Sequence, residues 1–487
     1  MSHSNSKSPA QFTRRRFLQR GAGLGAIGLT GALGPMGKAR SALPAAPASY
    51  TDYRALVCVF LSGGNDSFNL FVPNDAANYG IYADSRQNLA VPQADLLPVT
   101  PLSGGSFGFH PSCAGLRNQF MAGNLAVVAN CGPLAAPTNH TTRNDFLSQT
   151  VPLPTALYSP SDQKRYWQAI DPSGASNRGW AGGVADMITP AIHAVLDPTA
   201  QAFNMNISLA GNNLMQAGAT STPYVVNSDS VALLTGLNTN NPTNARRLQA
   251  FNDLLSSAQT SSPLIQESGA VMERARDSVV SIEAALGSIA PFATQFPDTA
   301  LGRQLETVAR MIAIRATLSV QRQIFYVEMG GFDTHNAQLD RQPVLLAELS
   351  EALDSFLRST MELGLQDNVV TFTNSEFGRA LPSNGDGSDH GWGGHSLVMG
   401  GCVSGQDVYG TMPNLTIGGP DDSSGGRIIP TTPVDAFHAT LCDWFGVTGL
   451  LGGGTVAPGS HMDQLFPSLS GSAFPFPPGT HNLGFMM

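Results

Sequence analysis

The chain is poor in the features that would announce several common classes. It has five cysteines in 487 residues (Cys58, Cys113, Cys131, Cys402, Cys442), with no CxxC pair. That argues against a zinc–thiolate site and against a disulfide scaffold. Cys58, Cys131 and Cys402 lie in or beside apolar runs and read as small buried hydrophobes; one disulfide is left open, its pairing undetermined. Charge is sparse at 13% of residues, and basic charge is concentrated at one end. The first 42 residues hold seven Lys or Arg and no acid, which leaves 19 basic against 35 acidic residues, a formal charge of −16. Nucleic acid and anionic membrane surfaces are therefore poor partners. No apolar run approaches the roughly 20 residues of a membrane span. Hydrophobic residues make up 42% of the chain, enough for a substantial core.

The basic end has a reading of its own. Thr13-Arg14-Arg15-Arg16-Phe17-Leu18-Gln19 precedes a mildly apolar, Gly-rich run from Gly21 to Leu33, and small residues follow from Ala39 to Ala48. This is the pattern of a twin-arginine export signal with a short linker, over residues 1–48. The expected partner is the twin-arginine export machinery, and the expected location is periplasmic or secreted, with no transmembrane segment in the mature chain. Residues 49–487 read as one domain.

Within that domain, Ala55 to Leu61, Leu125 to Asn130, Ile324 to Met329 and Val369 to Thr373 are continuous apolar runs, with a fifth at Leu397 to Met399. Runs without alternation predict strands covered on both faces. Helix-like periodicity appears near Cys113 to Met121, Arg246 to Leu255, Ile265 to Leu286, Leu301 to Arg315, Leu345 to Leu363 and Pro433 to Phe445, and Tyr224 to Val226 is a short strand candidate. Strands alternating with helices predict an α/β fold with a mostly parallel central sheet flanked by helices. The stretch at about 177–300 reads as a largely helical insertion or cap.

The candidate chemistry lies at strand ends, where loops of an α/β sheet carry ligands. Asp66 follows the first strand in Gly63-Gly64-Asn65-Asp66, and Asp333 and His335 follow another in Gly330-Gly331-Phe332-Asp333-Thr334-His335. His140, Thr141, Thr142 and Arg143 stand after the second strand, where a threonine is either a nucleophile at a helix start or a plain helix cap. The densest cluster is Ser375 to His395, with Glu376, Arg379, Asp389, His390 and His395. Carboxylates with imidazoles suit zinc, manganese or iron, and their number suggests two divalent ions.

These motifs resemble a known family. FLSGGNDSFNLFVP at 60–73, GGFDTH at 330–335, and SEFGR with SDHGWGGH at 375–395 are similar to those of the exported proteins called domain of unknown function 1501. The family is grouped with the alkaline phosphatase and sulfatase superfamily. The resemblance implies an alkaline phosphatase-like fold with a two-metal site, and a metal set drawn from Asp66, Asp333, His335, Glu376, Asp389, His390 and His395. Glu376 and Asp389 compete for one place, and Asp389 is favoured because His390 comes with it. Thr141 or Thr142 would stand near the superfamily's nucleophile, where many relatives show Ser-His and this chain has Asn139-His140. The implied function is hydrolysis of a phosphate or sulfate ester, small or carried on a polysaccharide, with Arg143 or Arg379 neutralising the oxyanion. The alternative is a non-catalytic metal-binding or cell-envelope protein, polysaccharide-associated, of the same fold. A shared site requires Asp66, Asp333, His335, Asp389 or Glu376, and His395 to converge.

Overall fold

The computed structural model describes residues 50–487 except 138–141, 170–175, 196–203, 227–240, most of 259–281, 452–454, 472–475 and 477–480. The main sheet is built from β1 (Arg54–Leu61), β2 (Leu125–Gly132), β3 (Asn206–Ser208), β4 (Tyr224–Val225), β5 (Arg322–Met329) and β6 (Val369–Ser375). A hairpin of β7 (Arg379–Ser383) and β8 (Ser388–His390) stands outside it. The sheet is completed by β9 (Gly394–Met399), β10 (Asp407–Tyr409) and β11 (Thr432–Pro433). The spatial order is β10-β2-β9-β6-β1-β5-β3-β4, with β11 also paired to β2.

The fold is α/β, with a mostly parallel sheet. β1 lies parallel to both β5 and β6, so that Leu61 is level with Met329 on one side and Ser375 on the other. The exception is β9, which runs antiparallel between β6 and β2. Its first residues therefore sit at the edge where β1, β2, β5 and β6 end. This is why His395, at the start of a strand, joins residues that follow strands.

The continuous apolar runs fold as expected because both faces of the sheet are covered. In β1, Ala55, Val57, Val59 and Leu61 pack into one core and Leu56, Cys58 and Phe60 into the other. Burying each such Val, Leu or Phe contributes about 1.5–3 kcal/mol. The first core is filled by helices α6 (Ala300–Ala313) and α7 (Gln338–Glu362), the second by α5 (Trp180–Val195) and α8 (Val434–Phe445). Smaller helices are α1 (Ala76–Arg86), α2 (Ala114–Met121), α3 (Arg143–Ser148) and α4 (Pro160–Ala169). All five cysteines are free and buried.

The stretch expected as an insertion is in part sheet. β3 pairs with β5 and β4 with β3, both in parallel, so residues 206–225 extend the main sheet at its far edge. The candidate at Tyr224 to Val226 is present as β4, while the three-residue β3 carries too little periodicity to be read from sequence. The helix expected over 246–255 is present as Pro242–Ala258. Half of the one expected over 265–286 lies outside the described residues, and the described half is helical. Among the described residues, no helix is long and apolar enough to cross a membrane.

Candidate metal centre

Two glycines and two buried charged residues hold the strand-end loops together. Gly63 and Gly64 have φ of +114° and +85°, and a Cβ on Gly63 would lie 2.3 Å from the backbone nitrogen of Asp333. Only glycine takes such conformations without strain. The Glu376 carboxylate accepts hydrogen bonds from the backbone N–H groups of Gly63 (2.9 Å) and Gly64 (3.1 Å) and from the Ser62 hydroxyl (3.2 Å). Arg379, fully buried, donates to the carbonyls of Gly63 (2.9 Å), Gly64 (3.0 Å), Phe332 (3.0 Å) and Ser388 (2.7 Å), and to Asp333 Oδ1 at 2.5 Å. One guanidinium thus fixes the ends of β1 and β5 and the hairpin to one another.

On this scaffold Asp333, His335 and His390 converge. Their ligand atoms lie within 4.8 Å of one another. His335 Nε2 is 2.9 Å from His390 Nε2, and Asp333 Oδ1 is 3.2 Å from the first and 3.4 Å from the second. Neighbouring ligands on one ion held at about 2.0–2.2 Å are themselves roughly 3 Å apart, so the group fits a single zinc-like ion. The far ring nitrogens support this. His390 Nδ1 is 3.1 Å from the Tyr158 carbonyl oxygen, and His335 Nδ1 is 3.5 Å from Asp389 Oδ1. A carbonyl and a carboxylate accept only, so a proton on each Nδ1 would satisfy them and leave each Nε2 as an acceptor facing the centre. With both rings in that tautomer, two inward lone pairs 2.9 Å apart would repel unless a cation lay between them.

The centre is open. Asp333 is 57% exposed, His335 42% and His390 23%, which leaves room for ligands from solution. Burial pushes the Asp333 carboxyl up, but the hydrogen bond and charge of Arg379, helped by the charge His335 and His390 carry when protonated, prevail and hold it below the usual value. The carboxylate is thus available as a ligand at neutral pH.

The other expected ligands are placed elsewhere. Asp389 stands behind His335, 3.5 Å from its Nδ1, and accepts from the Asn384 amide (3.2 Å), outside the group of three. Asp66 is buried against Arg86, with Gln338 also donating to it and Gln342 donating to its backbone carbonyl. Breaking a buried pair of this kind costs about 3–5 kcal/mol. Glu376 closes the glycine loop and is outside the group. His395 Nδ1 accepts the backbone N–H of Asn130 at 3.0 Å, so its neutral ring carries the proton on Nε2, a donor unsuited to ligating.

The expected catalytic residues are also engaged. Thr142 caps α3 in a reciprocal arrangement with Asp145, the plain-cap reading, and its hydroxyl lies 2.6 Å from the Asp145 carboxylate. Arg143 pairs with Asp422 through the backbone carbonyl (2.7 Å) and the side chain (3.4 Å). Arg379, expected at an oxyanion, is built into the scaffold, its donors directed at carbonyls and at Asp333. His140 and Thr141 lie outside the described residues. Sequence reasoning missed the carbonyl of Tyr158 and the partners Arg86, Gln338 and Asn384. Asn384 stands in the Asn-Gly-Asp-Gly turn directly before the Asp389-His390 pair, which could have drawn attention to it.

No curated protein matches the chain. A solved 2-O GAG sulfatase is similar at a TM-score of 0.30 and 7% identity, covering 88% of this chain and 76% of that one. So low a score carries no argument about the site. The sequence of the strand-end loops is decisive instead, because the motifs that build the scaffold and the centre fall inside the one matched region. Residues 53–448 match the family described as "Protein of unknown function (DUF1501)", and the chain belongs to that family.

Proposed function

We propose that the chain is an exported, metal-dependent hydrolase of phosphate or sulfate esters whose ion is held by Asp333, His335 and His390. The observation that supports this reading is the convergence of two imidazole nitrogens and one carboxylate oxygen on a solvent-open point. A divalent ion there would supply Lewis-acid polarisation and a water of lowered pKa. The chain's own contribution is orientation: Tyr158 and Asp389 set the rings, and Arg379 pins the carboxylate. Positive charge borders the centre, since Arg341 donates to the Gly331 carbonyl (3.0 Å) and Arg427 to the His390 carbonyl (3.1 Å). That suits an anionic ester group. With Thr142 held in its cap, the attacking group in this reading is water. One ion suffices, and zinc, manganese and iron all fit the donor set.

A second reading, a metal-binding envelope protein without turnover, is favoured by the engagement of Thr142, Arg143 and Arg379 in structural bonds. Metal analysis of the purified protein, with aryl phosphates and aryl sulfates assayed with and without added zinc or manganese, separates the two. Bound metal with turnover is the expected result. Bound metal without turnover leaves the second reading, and neither metal nor turnover refutes both. Export is tested by replacing Arg14 and Arg15 with Lys, which should retain the protein in the cytoplasm.

A further inference from the structure

A pocket lies at the same sheet edge as the metal centre and shares Phe377 with its surroundings. Phe377 lines it, and the same ring lies 4.4 Å from the His390 ring. Its wall includes Asn65 after β1, Asn374 on β6, Trp167 on α4 and His395 on β9. Each of these four carries a buried side-chain atom with no hydrogen-bond partner among the described residues: Asn65 Oδ1, Asn374 Oδ1, Trp167 Nε1 and His395 Nε2. Buried polar groups are ordinarily satisfied, and an unsatisfied one costs about 1–3 kcal/mol. Four in one lining, around a space of about one water's size at the edge where α/β sheets take ligands, call for a water or a ligand hydroxyl.

The chemistry of the wall defines that occupant. Among the described residues, no Asp, Glu, Lys or Arg lines the pocket. His395 is neutral there, because burial holds its imidazole down to about 3. With Nδ1 accepting from Asn130, Nε2 offers an N–H. The unmatched groups are therefore two donors, from His395 and Trp167, and two acceptors, from Asn65 and Asn374. A metal ion would meet no charge and no free imidazole lone pair, and an anion would meet two carbonyl oxygens. A hydroxyl both donates and accepts. Trp167 and Phe377 add aromatic surface beside the polar atoms.

We infer that this pocket is a binding site for a hydroxyl-bearing, uncharged ligand of the polyol class, which seats a hydroxyl among Asn65, Asn374, Trp167 and His395. The site does not depend on the hydrolase reading and stands if no ester is turned over.

Erythritol is a suitable probe, with zinc and inorganic phosphate as comparisons, in crystal structures of the purified protein and in calorimetric titrations. The expected result is an erythritol hydroxyl within hydrogen-bond distance of Asn374 and His395 Nε2, with an affinity insensitive to salt and to pH between 5 and 8. Trp167→Phe keeps the ring and removes one donor, and should raise Kd by about fivefold, the weight of one hydrogen bond. Asn65→Ala is a second variant with the same expectation. Water alone in the pocket at saturating erythritol, or zinc or phosphate bound there, overturns the inference. Zinc on Asp333, His335 and His390 with erythritol in the pocket supports it.

Discussion

Gly63→Ala tests whether the glycine loop sets the metal centre. The residue has φ of +114°, a region that costs an L-residue about 1–2 kcal/mol. The added Cβ would lie 2.3 Å from the nitrogen of Asp333 and 2.9 Å from the carbonyl carbon of Phe332, both backbone atoms with no flexible end to yield. Restoring 3.0 Å to the nearer atom requires a relative shift of about 0.7 Å between the ends of β1 and β5. Metal-ligand distances tolerate about ±0.2 Å, so displacement of Asp333 should weaken metal binding by about 10- to 100-fold. The loop movement also disturbs the bonds from Gly63 N–H to Glu376 and from Arg379 to the Gly63 carbonyl, so thermal stability should fall as well. Gly330→Ala is the control, since a Cβ there meets nothing within 4 Å. Metal affinity by competition with a chromophoric chelator, alongside thermal melts, reads both effects. Equal metal affinity in Gly63→Ala and Gly330→Ala would refute the coupling of this loop to Asp333.

Asp389→Asn should lower metal affinity by about tenfold while leaving stability nearly unchanged, because Asp389 orients His335 from behind; loss of all bound metal would instead make Asp389 a ligand. Glu376→Gln keeps the shape of the side chain but turns an acceptor into a donor against the Gly63 and Gly64 N–H groups, so stability should fall by about 1–3 kcal/mol in urea melts at unchanged metal stoichiometry. Acid should destabilise the protein through His438, whose imidazole burial holds down to about 3 against 6.5 ordinarily. Between those values the unfolded chain takes up a proton that the folded one refuses. The stability is therefore full above about pH 6.5 and is lost as pH falls, at about 1.4 kcal/mol per unit. His438→Gln should flatten that slope between pH 6.5 and 4.5, and an unchanged slope would count against the buried neutral ring.

The residues that the sequence brings into view divide by how their environment is supplied. Ala55 to Leu61, Leu125 to Asn130, Ile324 to Met329 and Val369 to Thr373 were legible as strands because a doubly covered strand writes its burial into every position. The paired glycines were legible because they precede acids at strand ends. His335 and His390 could be picked out as candidates, along with Asp333, by residue type alone. Which candidates meet could not be read, because that depends on partners far along the chain. Asp66 is claimed by Arg86 and Gln338, His395 by the backbone of Asn130, and Glu376 by Ser62, Gly63 and Gly64. The antiparallel course of β9 brought His395 to the functional edge, and a one-strand reversal leaves no trace in hydropathy. By itself, then, the sequence determined the α/β layering and a set of metal-capable side chains, since both follow from local composition. Only the tertiary structure decided that three of those side chains share one point while the others are held by partners of their own, because hydrogen-bond partnership is a property of space and not of order along the chain.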